Sequence, residues 1–191
     1  MKRLLLLTTL TYACMTFSVH ASSYESGDLV CTGRVIYVSD GDTVHVKCNG
    51  QKLKIRVAEI DSPEIEKQNK PCFGQPLGKG AKQLANEILL GRTVDVRFFD
   101  EDRWKRMVAR LFVDGRNYSH LLIEAGFAHI YERYAKDDRL KISLTKAKVG
   151  RNGLWSLPPK CIMNPAKWRS QLTNNQRCAL QDEWFQQGCY R

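Results

Sequence analysis

Acidic residues are scarce in this chain. Twenty Asp and Glu stand against 30 Lys and Arg, giving a formal net charge of +10 and a pI near 9.4. Such an imbalance disfavours cationic partners and favours polyanions, meaning nucleic acid or an anionic membrane surface. No Cys-x-x-Cys pair occurs among the seven cysteines, and His45, His120 and His129 show no ligand spacing, which argues against a zinc site. The chain has no internal repeat and no low-complexity segment, so a solenoid or a fibrous protein is excluded. Beyond the N-terminus no apolar run approaches the roughly 20 residues of a membrane-spanning helix.

What is present is an ordinary globular composition, 43% hydrophobic and 26% charged over 191 residues, enough for one domain with a small appendage. Lys2 and Arg3 precede an apolar run over residues 4–10, extended through Ala13, Met15 and Phe17, and Val19-His20-Ala21 offers a cleavage site. Residues 1–21 are therefore expected to be a secretory signal peptide. The mature chain is expected to be exported, periplasmic or extracellular, monomeric and without stable membrane association. Cys14 lies in the signal. The other six cysteines, Cys31, Cys48, Cys72, Cys161, Cys178 and Cys189, are an even set that suits disulfides in an oxidising compartment. Six cysteines allow fifteen pairings; the expected ones are Cys31–Cys48 across a hairpin, Cys178–Cys189 in the tail, and Cys72–Cys161.

Residues 30–38, 43–48 and 52–60 read as a three-stranded meander, with turns at Asp40-Gly41-Asp42 and Asn49-Gly50. A parity slip after Val57 predicts a bulge near Ala58. The segment 64–73 is polar and reads as a surface loop. Leu77, Ala81, Leu84, Ala85, Ile88 and Leu89 fall at helical spacing within 75–90. Strands follow at 93–99 and 108–113, then helices at 117–125 and 137–149. The expected fold is α+β, mainly β: a five-stranded Greek-key barrel of the OB type with three helices over residues 22–156. Residues 157–191 form a Cys-rich C-terminal extension, in which Asn164-Pro165 marks a helix start.

Three short segments carry chemistry. Asp40-Gly41-Asp42-Thr43 lies at the first strand junction. Arg56 to Glu64 closes the third strand, and Trp104-Lys105-Arg106 precedes the fifth. Asp42 and Asp61 sit at strand ends that a small barrel can bring together, and carboxylate oxygens suit a hard cation such as Ca²⁺. Two arginines can clamp a phosphate, and Glu64 can take a proton from water. A cation, a base and paired guanidinium groups are the parts phosphodiester hydrolysis requires.

In order and spacing these segments resemble the staphylococcal nuclease (thermonuclease) family. The family's Asp-Gly-Asp-Thr matches residues 40–43, its Arg-x4-Asp-Thr-Pro-Glu matches Arg56 to Glu64 with Ser62 in the Thr position, and its Tyr-Gly-Arg matches Trp104-Lys105-Arg106. Gly126-Phe127-Ala128, Tyr131, Tyr134 and Gly153-Leu154-Trp155 resemble its closing stretch, so the likeness runs over about residues 31–156. It implies a Ca²⁺-dependent endonuclease acting on DNA and RNA with little sequence preference and leaving 3′-phosphates. Asp42 and Asp61 would bind Ca²⁺ through side chains, Ser62 through its carbonyl, and Asp40 from the outer shell. Glu64 would be the general base, and Arg56 and Arg106 would stabilise the transition state. Tyr134, Tyr131, Trp104 and Lys105 would contact the nucleotide. Lys105 replaces the family glycine, where its side chain would either crowd the site or add a phosphate contact. The alternative is a non-catalytic nucleic-acid-binding module on the same fold.

Overall fold

The computed structural model describes residues 27–190; the expected signal peptide and its cleavage site lie outside the described residues. Strands β1 (Leu29–Asp40), β2 (Thr43–Cys48), β3 (Gln51–Val57), β5 (Thr93–Glu101) and β6 (Met107–Val113) form one sheet in the order β3-β2-β1-β5-β6. A parallel pairing of β3 with β6, Ile55 opposite Met107 and Val57 opposite Ala109, closes it into a five-stranded barrel. The long strand β1 makes closure possible. Its first half pairs with β5 and its second half with β2, and register shifts between Val35 and Tyr37 and between Val38 and Asp40 bend it between the two partners. Inward residues alternate along the strands, so Val35, Val44, Val46, Ile55, Val96 and Leu111 are fully buried.

Three helices cover the barrel: α1 (Gly78–Leu89), α2 (Tyr118–Glu124) and α3 (Leu140–Val149). Helix α1 buries Ala81, Ala85 and Leu89. It begins three residues later than the periodicity predicts, because Gln75 is occupied elsewhere. Gln75 brackets Glu64, accepting from its N–H through Oε1 (3.1 Å) and donating its own N–H to the Glu64 carbonyl (2.9 Å). The helix then starts against that same carbonyl: a Cβ on Gly78 would lie 2.1 Å from the Glu64 oxygen, so only glycine fits.

The expected bulge at Ala58 is instead a turn between two sheets. Strand β3 ends at Val57, Glu59 adopts φ +69°, and the chain resumes as the short β4 (Ile60–Asp61), paired with β8 (His129–Ile130). The left-handed residue is held by its own carboxylate, which accepts from Arg110 (2.8 and 3.0 Å) and from the N–H groups of Lys136 (2.8 Å) and Asp137 (2.9 Å). A two-residue strand β7 (Arg116–Asn117) extends the main sheet beside β6.

The C-terminal extension holds two helices, α4 (Pro165–Gln171) and α5 (Asn174–Gln186). Asn164 caps α4, accepting from the N–H groups of Ala166 and Lys167, with Pro165 opening the helix. Trp168 and Trp184 stack at 5.1 Å between centroids in a second small core with Leu154, Leu157, Cys161 and Cys189. Two of the three disulfides differ from expectation. Cys31 pairs with Cys48, but Cys72 pairs with Cys178 and Cys161 with Cys189. The reason is α5: Cys178 lies inside this helix and Cys189 beyond its end, and the eight residues from Cys178 to the helix end at Gln186 rise about 12 Å, which carries the two cysteines out of disulfide reach. The bridge that forms binds the extension to the loop after Glu64. Three disulfides suit an oxidising environment, and no helix among the described residues is long and apolar enough to cross a membrane.

Candidate active site

The turn between β1 and β2 and the end of β4 meet at one end of the barrel. Gly41 permits the approach: a Cβ there would lie 2.8 Å from the Ser62 Cβ, and its carbonyl accepts from the buried Tyr118 hydroxyl (2.8 Å). Asp42 Oδ2 accepts from the Ser62 N–H (2.7 Å) and hydroxyl (3.0 Å). Arg56, opposite Thr43 on β3, reaches both aspartates, at 3.3 Å from Asp42 Oδ1 and 3.0 Å from Asp61 Oδ1. Asp42, Arg56, Asp61 and Ser62 thus form one buried cluster. Asp40 joins it by accepting from the Asp42 N–H (3.2 Å).

Burial and crowding set the charges. Burial, then the neighbouring Asp42 charge, pushes the Asp40 carboxyl up to about 7. Burial also opposes the charge on Asp42, but the Arg56 guanidinium and the Ser62 donors outweigh it and hold this carboxyl below its ordinary range. Asp61 is pushed up by burial and by Asp42, against the pull of two guanidinium groups. One of these is unforeseen. Arg169, from α4, donates to Asp61 Oδ1 (3.0 Å) and Oδ2 (2.9 Å) and to Glu64 Oε1 (2.7 Å). It therefore links Glu64 to the aspartate cluster, and Lys67 stands 3.5 Å from the other Glu64 oxygen.

Arg106 is not in contact with this cluster. It pairs with Asp102 (2.6 Å) within the β5–β6 turn. The parallel register puts Val108 opposite Arg56, so Arg106 lies one pleat repeat, about 7 Å, before that position on the neighbouring strand. Lys105 crowds nothing: its side chain is 85% exposed and pairs with Glu101 (2.9 Å). Its backbone explains the glycine of the resembling motif, since φ is +60° here. Trp104 is exposed, with the Arg103 guanidinium 4.0 Å and that of Arg106 5.1 Å from its ring centroid. Tyr131 and Tyr134 meet edge to face at 4.9 Å, with Tyr134 exposed.

The donor chemistry suits a hard cation. Asp42 and Asp61 offer carboxylate oxygens on adjacent chain ends, with room in the ligand count for water. Among the described residues no group of three or more His, Cys, Asp or Glu forms a ready-made cage. The carboxylates converge instead on guanidinium groups.

A family model described as staphylococcal nuclease homologue matches residues 54–157. The chain belongs to this family. It is 34% identical over 125 residues to an "Uncharacterized endonuclease" of Escherichia coli O157:H7, covering 65% of this chain and 76% of that one. It is 29% identical over 153 residues to a "Micrococcal nuclease" of Shigella flexneri, covering 74% and 82%. With "Endonuclease YncB" of Bacillus subtilis (strain 168) it shares 32% over 124 residues, covering 61% and 58%. Within the family match lie Arg56, Asp61, Ser62, Glu64 and Arg106. Arg169 lies beyond its end, in the extension, and sequence reasoning missed it. Its only signal was Cys72, a cysteine in the loop after Glu64 with its partner in the tail.

Proposed function

We propose that the chain is an exported, monomeric, Ca²⁺-dependent endonuclease that hydrolyses DNA and RNA with little sequence preference. The observation that carries this reading is the buried Asp42–Arg56–Asp61 cluster with Glu64 tied to it. Asp42 and Asp61 would hold the cation, with the Ser62 carbonyl, and Asp40 behind them. The cation would supply Lewis-acid neutralisation of the phosphoryl oxygens.

The protein's own groups do the rest. Glu64 accepts a proton from a water whose oxygen forms the new bond to phosphorus. Its backbone is held on both sides by Gln75, so the carboxylate is aimed by a fixed loop. Arg56 offers planar N–H donors to the pentacoordinate phosphorane, where charge develops. Arg106, on the strand beside it, supplies the second guanidinium once it turns from Asp102. The bond from phosphorus to the 5′ oxygen breaks, that oxygen takes up a proton from solvent while Glu64 returns its own to solvent, and the products are a 3′-phosphate and a 5′-hydroxyl. Trp104 and Tyr134 offer exposed rings, and Tyr131 a half-buried one, on which bases stack without sequence preference, and Lys105 adds a solvent-facing charge for phosphate.

The test is digestion of single- and double-stranded DNA and RNA by the oxidised protein in Ca²⁺, Mg²⁺ or chelator, with end-group analysis. Ca²⁺-dependent cleavage leaving 3′-phosphates is expected. Intact substrates across a full Ca²⁺ titration would leave only a nucleic-acid-binding module.

A further inference from the structure

The guanidinium of Arg169 takes both oxygens of Asp61, one of the two carboxylates read as cation ligands. Asp61 Oδ1 accepts from both Arg56 and Arg169, and Oδ2 accepts from Arg169. A carboxylate offers about four acceptor sites, so three of those on Asp61 are taken. A divalent ion on the remaining one would sit against two fixed positive charges. Glu64 is engaged by the same guanidinium at 2.7 Å. We propose that Arg169 is a built-in competitor of the divalent cation, a charge delivered by the C-terminal extension that sets how tightly the site takes metal. This rests on the reading of Asp42 and Asp61 as cation ligands.

The placement of Arg169 is built. The preceding residue, Trp168, is fully buried and donates its indole N–H to the Phe73 carbonyl (2.8 Å). Gln75, which brackets Glu64, donates its side-chain amide to the Met163 carbonyl (2.9 Å), just before α4. Gln181 and Tyr190 both donate to the Gly74 carbonyl (2.6 and 3.0 Å), and Cys72–Cys178 locks the same loop to α5. Every one of these ties joins the extension to the segment 64–75, so Glu64 and Arg169 are fixed in one frame. The backbone of α4 cannot lift without breaking the buried indole contact of Trp168, and the bridge holds the next helix, α5, to the same loop. The Arg169 side chain is 33% exposed, however, and has a path to solvent. Cation binding displaces the side chain, not the helix. An arginine serves better than a lysine as such a competitor, because its fork takes both Asp61 oxygens at once.

The experiment is calorimetric titration of Ca²⁺ alone into the oxidised full-length mature protein, comparing wild type with Arg169→Gln and Arg169→Lys. Arg169→Gln is expected to bind Ca²⁺ at least tenfold more tightly, with Arg169→Lys in between. Equal or weaker binding by Arg169→Gln would overturn the competitor role and leave the metal site standing. Absence of Ca²⁺ binding by every variant would overturn both. A second measurement needs no substitution and so does not depend on the variants folding. In wild type, the Arg169 Nε–H resonance should shift with the same midpoint as the binding heat; a resonance unmoved at saturating Ca²⁺ would also sink the idea.

Discussion

Cys72 and Cys178, 106 residues apart in the chain, are joined in a bridge that fastens α5 to the loop leaving Glu64. Closing so long a loop removes about 5 kcal/mol of the unfolded chain's conformational entropy. The double substitution Cys72→Ser with Cys178→Ser is therefore expected to lower unfolding stability by about 5 kcal/mol, read from urea midpoints of the oxidised proteins. Opening the Cys161–Cys189 bridge, which spans only 28 residues, should cost less. An equal loss from the two would mean that the long bridge acts through something other than chain entropy.

Glu64→Gln keeps the shape of the side chain and the Gln75 bracket on its backbone but removes the proton acceptor. For a general base the expected loss is 10²–10⁴-fold in kcat. Its thermal midpoint should stay within a few degrees of wild type, since Gln75 holds the backbone either way. A kcat within threefold of wild type, on any nucleic acid the parent cleaves, would remove Glu64 from the chemistry.

How much of this was legible follows from where the information lies. The strands announced themselves, because alternation such as Val44 and Val46 against His45 and Lys47 is a local pattern. Asp42 and Asp61 were legible as strand-end carboxylates that a small barrel brings together, and Arg56 joined them through the resemblance of its segment to the family motif. The turn at Glu59 was misread as a bulge, since a parity change looks the same in either case; what decides it is Arg110, 51 residues away. The tail was opaque for a similar reason. Nothing local to Arg169 marks it out in a basic chain, and its role depends on which cysteine closes on Cys72. Pairing by sequence proximity failed because α5 intervenes between Cys178 and Cys189.

Lys105 carries a cost that its sequence hides. A side chain at φ +60° is strained relative to glycine by about 1–2 kcal/mol, while the solvent-screened pair with Glu101 contributes little. After allowance for the greater freedom of glycine when unfolded, Lys105→Gly should raise stability by about 1 kcal/mol. Lys105→Ala, which loses the ion pair and keeps the strain, should not. Thermal melts of the two variants side by side distinguish backbone relief from any effect of charge; equal midpoints would refute the strain argument.

Asp137 should give the protein a defined weakness in acid. Its carboxylate accepts from the Arg139 side chain (2.9–3.2 Å), from the Arg139 N–H (3.0 Å) and from the His120 ring (3.0 Å), at the entry to α3. Burial works against its charge, but the Arg139 and His120 contacts outweigh it and hold the carboxyl down at about 2, below its ordinary 3.8. Because the folded form holds its proton less tightly than the unfolded chain, this contribution is complete above about pH 4 and is lost as pH falls through 2. Arg139 is partly exposed, so solvent screening leaves about 1–2 kcal/mol. Asp137→Asn should thus be less stable than wild type by that amount at pH 6, with the gap closing as denaturation midpoints are followed down toward pH 2. A gap that stayed constant over this range would show that the loss comes from packing or hydrogen-bond geometry and not from the ionised carboxylate.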